Sequence, residues 1–177
     1  YDNMLEELQK ELSKFGKAVI KQSRANLTRK GNNDTKDLYN SLKFESKVHK
    51  NSFSFDFFME DYGTFRDLGV KGKKSSSKAP NSPYRFGSGT GKKGGLTEAI
   101  GKWVRSKGIR GRGKNGRFIT HKSLTFLITR SIYNNGMKPS LFFTKPFEKA
   151  FERLPEDLIE KFGLDVENFM EHTLNKK

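Results

Sequence analysis

The sequence predicts an α+β fold, with N- and C-terminal helices packed on a small antiparallel β-sheet and a long basic insertion between them. Three observations predict it. Apolar residues recur at helical spacing near both ends, residues 42–57 alternate between apolar and polar, and the composition turns to Lys, Arg, Gly and Ser from 70 to 119.

Met4, Leu5, Leu8, Leu12, Phe15 and Val19 form one apolar stripe, with Glu6, Glu7, Gln9, Lys10, Glu11 and Lys14 between them, so the first 25 or so residues read as an amphipathic helix. Gly31 and Asn32-Asn33-Asp34 close it. Asp34 or Thr35 is the expected start of a short helical turn that carries Leu38 and Tyr39 into the core. Leu42, Phe44, Ser46 and Val48, then Phe53, Phe55 and Phe57 across His49-Lys50-Asn51-Ser52, predict a hairpin. Phe57 to Phe65 are expected to extend its second strand into a loop ending near Gly69.

From Lys71 to Gly95 the chain has too little apolar surface to fold alone and is expected to be an arm. Leu96, Ile100, Trp103 and Val104 predict a short helix, with Thr97 near its start and Gly108 at its end, docked on the core through Trp103. Gly108 to Arg117 reads as a second flexible basic segment. Leu124, Leu127, Ile128, Ser131 and Ile132 then form a helical face that ends at Asn134-Asn135-Gly136. Pro146 to Leu154 is expected to be helical, with Pro in its first turn and Phe147, Ala150, Phe151 and Leu154 inward. Pro155 stops it, and Leu164, Val166, Phe169, Met170 and Leu174 predict a last helix capped by Asp165.

A chain of 177 residues supports one domain with appendages. The expected organisation is a single domain, 1–177, with its core in 1–69 and 120–177 and a basic insertion at 70–119 containing a short helix, 96–107. With 16 phenylalanines, the core should be aromatic rather than aliphatic. The absence of cysteine removes disulfides, thiolate nucleophiles and zinc–thiolate sites. No run approaches the ~18 apolar residues of a membrane span, and Tyr1-Asp2-Asn3-Met4 does not begin a leader, so a soluble protein without a targeting segment is expected.

The net charge of +15 is local. Between Val70 and Lys122 stand 15 Lys or Arg against Glu98 alone. Lys71, Lys73, Lys74, Lys92, Lys93, Arg105, Lys107, Arg110, Arg112, Lys114 and Arg117 are the candidates for contact with DNA or with an acidic protein partner. Tyr84, Phe86, Trp103 and Phe118 lie among them and could support binding along a phosphate backbone.

Other constellations are weaker. Gly89 to Gly94 and Gly111 to Gly116 both match Gly-x-Gly-x-x-Gly, but neither follows a strand, and two matches in a Gly-rich chain reflect composition. His49, His121 and His172 are far apart and read as turn or helix-end residues. Asp56, Glu60, Asp61 and Asp67 are the only acids dense enough to suggest a metal-dependent nuclease, and they read better as solvated charges. No catalytic, cofactor-binding or metal-binding residue is assigned.

Two stretches resemble a known family. A helix, then Thr35, Leu38 and Ser41 at the spacing T-x-x-L-x-x-S, then a hairpin running into Tyr62-Gly63-Thr64, is similar to the order found in bacteriophage tail-completion or neck proteins. Met137 to Phe151, with Pro146 at its centre, resembles that family's closing element, which starts a helix packing back on the sheet. This chain departs from the pattern in lacking Glu before Gly63, in having Phe147 after Pro146, and in the length of its basic segment. The resemblance implies a non-enzymatic structural protein of the virion, assembled in the host cytoplasm. It would be a homo-oligomeric ring subunit at the head-to-tail junction, with portal or connector and tail proteins as partners and packaged DNA as a non-specific one. It implies no cofactor and no membrane. The alternatives are a stand-alone basic nucleic-acid-binding protein and, third, a nuclease using Asp56, Glu60 or Asp67.

Overall fold

The computed structural model describes residues 2–29, 36–60, 62–89 and 93–174. In chain order the elements are α1 (Asp2–Arg29), α2 (Asp37–Ser41), β1 (Lys43–Val48), β2 (Phe53–Phe58), α3 (Tyr62–Leu68), β3 (Val70–Lys71), α4 (Gly95–Lys107), α5 (His121–Asn135), β4 (Gly136–Met137), α6 (Thr144–Glu152), α7 (Glu156–Phe162) and α8 (Val166–Thr173). The fold is α+β. The chain gathers into two compact units, one of residues 1–63 with 141–177, the other of residues 64–140.

The first unit is built on an antiparallel hairpin. Phe44 lies opposite Phe57, Ser46 opposite Phe55 and Val48 opposite Phe53. Phe55 and Phe57 are buried, while Glu45 and Lys47 on the alternate positions of β1 are exposed, the period of two that one covered face imposes. Helix α1 covers that face with Leu8, Leu12, Phe15, Val19 and Ile20. Gln9 donates from Nε2 to Ser46 Oγ at 2.8 Å, which ties α1 to β1. Phe15 stands at the centre of the core, its ring 5.2 Å from Phe147, 5.6 Å from Phe55 and 5.7 Å from Phe169. Such edge and tilted ring pairs each contribute about 0.5–1.5 kcal/mol beyond area burial.

Helix α6 delivers Phe147 and Ala150 to this core, and Leu154 joins them just beyond its end, as the spacing predicts. Pro155 ends that turn and then leads into α7, a helix absent from the sequence reading. Asp165 caps α8 as expected: its Oδ1 accepts from Glu167 N at 3.1 Å and Asn168 N at 3.2 Å. The turn at Leu38 also holds, with Leu38 2% exposed. Asp34 and Thr35, its expected start, lie outside the described residues, and the residue before α2 is Lys36 in a left-handed conformation.

Residues 62–68 depart from expectation, forming the helix α3 instead of a strand extension and loop. Gly63 explains the local turn. Its N–H donates to the Glu60 carbonyl at 2.8 Å, and a Cβ there would stand 2.6 Å from Met59 Sδ and 2.8 Å from Leu38 Cδ1. A side chain at this position would have to displace the ends of the Met59 and Leu38 side chains.

In the second unit, α4 packs along α5, and β4 continues directly from α5 to pair with β3. Trp103 is half-buried, whereas Val104 is fully buried. The short helix packs along α5, and its fully buried residue is Val104 rather than Trp103. Val104 shares a stripe with Gly101, where a Cβ would stand 3.6 Å from Thr125 Cγ2. Gly108, with φ 62°, closes α4 as expected.

Candidate nucleic-acid interface

The basic segment is ordered by its backbone rather than by apolar burial. After β3, Lys71 N donates to Tyr84 O at 2.9 Å and Phe86 N to Lys71 O at 2.9 Å, while Lys73 N and Lys74 N donate to Tyr133 O and Asn134 O at the C-terminal end of α5. Arg85 staples the turn, its Nη1 donating to Gly72 O at 3.1 Å and Nη2 to Ser76 Oγ at 2.7 Å. Ser82, buried, donates to Gly69 O at 2.6 Å. The arm expected over 71–95 is thus a hydrogen-bonded set of turns through residue 89. It does not fold alone; it folds on α5 and β4.

Close backbone approach makes this possible. A Cβ at Gly72 would collide with the backbone of Asn134 and Asn135, and one at Gly136, held at φ 86°, with the Val70 carbonyl. Neither position accepts a side chain without moving the β3–β4 pair.

The second segment expected to be flexible is also folded. Arg112 and Phe118 form an antiparallel bridge. Gly113 N donates to Arg117 O, Gly116 N to Gly113 O and Ile119 N to Gly111 O, each at 2.9 Å. The second Gly-x-Gly-x-x-Gly match is therefore a tight hairpin with Gly116 at φ 76°, leading into α5, whose first turn is capped by Thr120 Oγ1 accepting from Ser123 N at 3.1 Å. Residues 90–92 of the first match lie outside the described residues.

At the bridge of this hairpin the guanidinium of Arg112 lies 4.3 Å, and that of Arg110 5.5 Å, from the ring centroid of Phe118. Phe118 itself is 55% exposed. Arg112 Nη1 also donates to Gly116 O at 2.9 Å, which fixes its fork. Lys114 and Arg117 belong to the same loop and are exposed.

The remaining candidate cations fall into two further groups. Arg105 and Lys107 lie exposed in the last turn of α4. Lys71, Lys73 and Lys74 gather where the turns meet the end of α5, with Lys73 Nζ 5.8 Å from the Tyr133 ring centroid. Lys93 is exposed just before α4, and Lys92 lies outside the described residues. Arg85, Thr120 and the exposed Phe126 of α5 were missed as features of this unit. Thr120 had a readable signal, a hydroxyl immediately before an apolar-periodic stretch.

Charge follows the division into units. Residues 64–140 carry 18 Lys or Arg against Asp67 and Glu98, a net of +16, and the remaining residues carry 17 against 18, a net of −1. Asp67 is 4% exposed, and Glu98 pairs with Lys102 at 3.5 Å.

The acids weighed for a nuclease are dispersed. Asp56 stands across the hairpin from Glu45, Glu60 is exposed after β2, Asp67 is buried in the other unit, and Asp61 lies outside the described residues. Among the described residues no three His, Asp or Glu gather as metal ligands. His49 is a turn residue, His121 starts α5, and His172 sits near the end of α8 with Nδ1 2.7 Å from Asn168 O. Among the described residues no helix is long and apolar enough to cross a membrane.

No protein-family model matches the chain, and neither the curated proteins nor the solved structures yield a significant match.

Proposed function

We propose that this chain is a structural subunit of a phage head-to-tail junction, a tail-completion or neck protein that assembles into a ring between the connector or portal and the tail. The observation that carries the proposal is the segregation of charge into two differently built units, one near neutral and one at +16. A near-neutral aromatic unit suits lasting protein–protein joints. A folded cationic unit suits a polyanionic neighbour at the same junction.

The resemblance in residue order supports the reading further, because its members have physical work to do. Ser41 Oγ donates to Leu38 O at 2.8 Å and accepts from Glu60 N at 3.0 Å, so one hydroxyl joins the short turn to the exit of the hairpin. Gly63 sits close against the ends of the Leu38 and Met59 side chains, which a Cβ there would displace. Phe142, Phe143 and Phe147 around Pro146 are all fully buried.

The test is assembly. Expressed with its connector partner, the protein should form rings visible by native mass spectrometry and electron microscopy, and it should be present in purified virions. A chain that stays monomeric with that partner and is missing from virions is not a junction subunit. The second reading, a stand-alone nucleic-acid-binding protein, draws on the Arg110–Phe118–Arg112 cluster. It separates from the first by leaving the protein out of the particle.

A further inference from the structure

We propose that the 110–119 hairpin binds the phosphate backbone of duplex DNA without reading sequence, and that Phe118 is a positioning residue for the two guanidiniums that make the contact. The inference goes beyond the assembly reading. A chain that never enters a ring would bind in this way, and a ring subunit whose hairpin meets protein would not.

Four features converge on this partner. Arg110, Arg112, Lys114 and Arg117 occupy eight residues, and no Asp or Glu occurs anywhere from Ala99 to Phe147. Within the unit the acids are Asp67, which is buried, and Glu98, which is paired with Lys102, so carboxylates are scarce beside the cations of the hairpin. Its counter-charge comes from a partner.

The cations are held before any partner arrives. Three backbone hydrogen bonds of 2.9 Å close the loop, Arg112 is fixed to Gly116 O, and the ring of Phe118 carries both guanidiniums. Ordering is then completed during folding, and little conformational entropy is lost on association. Three of the four cations are arginines, whose planar forks fit phosphate oxygens.

The ring also favours duplex over single strands. A stacking platform offers an aromatic face to bases. Here Phe118 already has two guanidiniums within 5.5 Å of its centroid, so it presents charge, and charge meets backbone. An acidic protein surface fits less well, since protein interfaces centre on an apolar core depleted of charge, whereas the only aromatic of this hairpin is engaged with arginine.

The experiment is a fluorescence-anisotropy titration of the full chain with a random 30-base-pair duplex, repeated over a series of KCl concentrations. Wild-type protein should bind with a steep salt slope. Arg110→Ala with Arg112→Ala should lower affinity about 10-fold or more and reduce the slope by about 1.8, close to 0.9 for each lost phosphate contact. Phe118→Leu should weaken binding several-fold, and Phe118→Tyr should restore it. Unchanged circular dichroism and Trp103 emission show that a variant is folded. Three results would overturn the proposal: full affinity in the folded double-arginine variant, tighter binding of single strands that depends on Phe118, or competition by poly-glutamate equal to that of DNA at matched charge.

Discussion

The two units of this chain solve the folding problem in opposite ways. In residues 1–63 and 141–177 the solution is apolar: Phe15, Phe55, Phe57, Phe143, Phe147 and Phe169 pack ring against ring among a hairpin and five helices. In residues 64–140 buried apolar residues are few, Val70, Ala79 and Val104 among them, and the chain is held by backbone hydrogen bonds, tight glycines and one pair of helices. A unit carrying +16 has a surface made almost wholly of one sign, which leaves fewer apolar residues for a core. Backbone bonding lets it fold while most of its described cations stay exposed, so the second unit can specialise in charge.

Breaking the apolar solution should have the largest effect. Phe147 is fully buried and meets Phe15, Phe57, Phe143 and Phe169. Phe147→Ala should destabilise the first unit by about 3–5 kcal/mol, the transfer and cavity cost of a large core aromatic. Urea unfolding followed by hydrogen exchange at β1 and β2 measures it. A loss below about 1 kcal/mol would mean that the ring cluster is not what holds this unit.

Breaking the backbone solution takes one methyl group. Gly136→Ala forces a side chain into a left-handed conformation and against the Val70 carbonyl, so it should cost about 1–3 kcal/mol. Trp103, the only tryptophan, lies in this unit and reports its unfolding directly. The same substitution at Gly116, where φ is 76° but nothing crowds the Cβ, should cost less, which separates steric collision from backbone conformation.

Helix caps sharpen the contrast by offering one local device in both units. Asp165→Ala and Thr120→Ala each remove a side-chain acceptor from a helix start and should each cost about 1 kcal/mol in thermal denaturation. Similar losses would show that the units differ in their long-range packing and not in how their helices begin.

How legible each unit was follows from the same difference. Apolar periodicity writes itself into sequence, so α1, the hairpin register, the inward face of α6 and the Asp165 cap were all readable from residue types. The turns over 71–89 and the hairpin at 110–119 were read as flexible because backbone-to-backbone bonds leave no side-chain signature. Gly72 and Gly136 are needed by neighbours distant in sequence, which no local pattern reveals. Helix α3 was hidden by Phe57-Phe58-Met59, whose apolar run suggested that the strand continued. Leu127 was assigned to the inward face of α5 but is 54% exposed, since the buried stripe passes through Thr125, a polar residue that a hydrophobic pattern skips. Eleven candidate cations could be named from composition. What composition could not give was which of them share a ring: Phe118 meets Arg110 and Arg112 only because the loop closes.

Salt should produce the smallest effect and probe the contrast most directly. Eighteen cations and two acids are closer together in the folded second unit than in its unfolded chain, so their mutual repulsion opposes folding. Raising KCl from 0.1 M to 1 M shortens the screening length from about 10 Å to about 3 Å, and repulsion between neighbouring exposed cations fades. The second unit should therefore gain up to about 1 kcal/mol, read by hydrogen exchange in α5 or by Trp103 emission. The first unit, at a net charge of −1, should gain much less at β1 and β2 over the same range, and it serves as the internal reference for any general effect of salt on apolar burial. Equal gains in both units would show that charge, although unevenly distributed, does not limit the stability of the second. A gain confined to residues 64–140 would identify stored repulsion that a polyanionic partner relieves on binding, the thermodynamic counterpart of the phosphate contact assigned to Arg110 and Arg112.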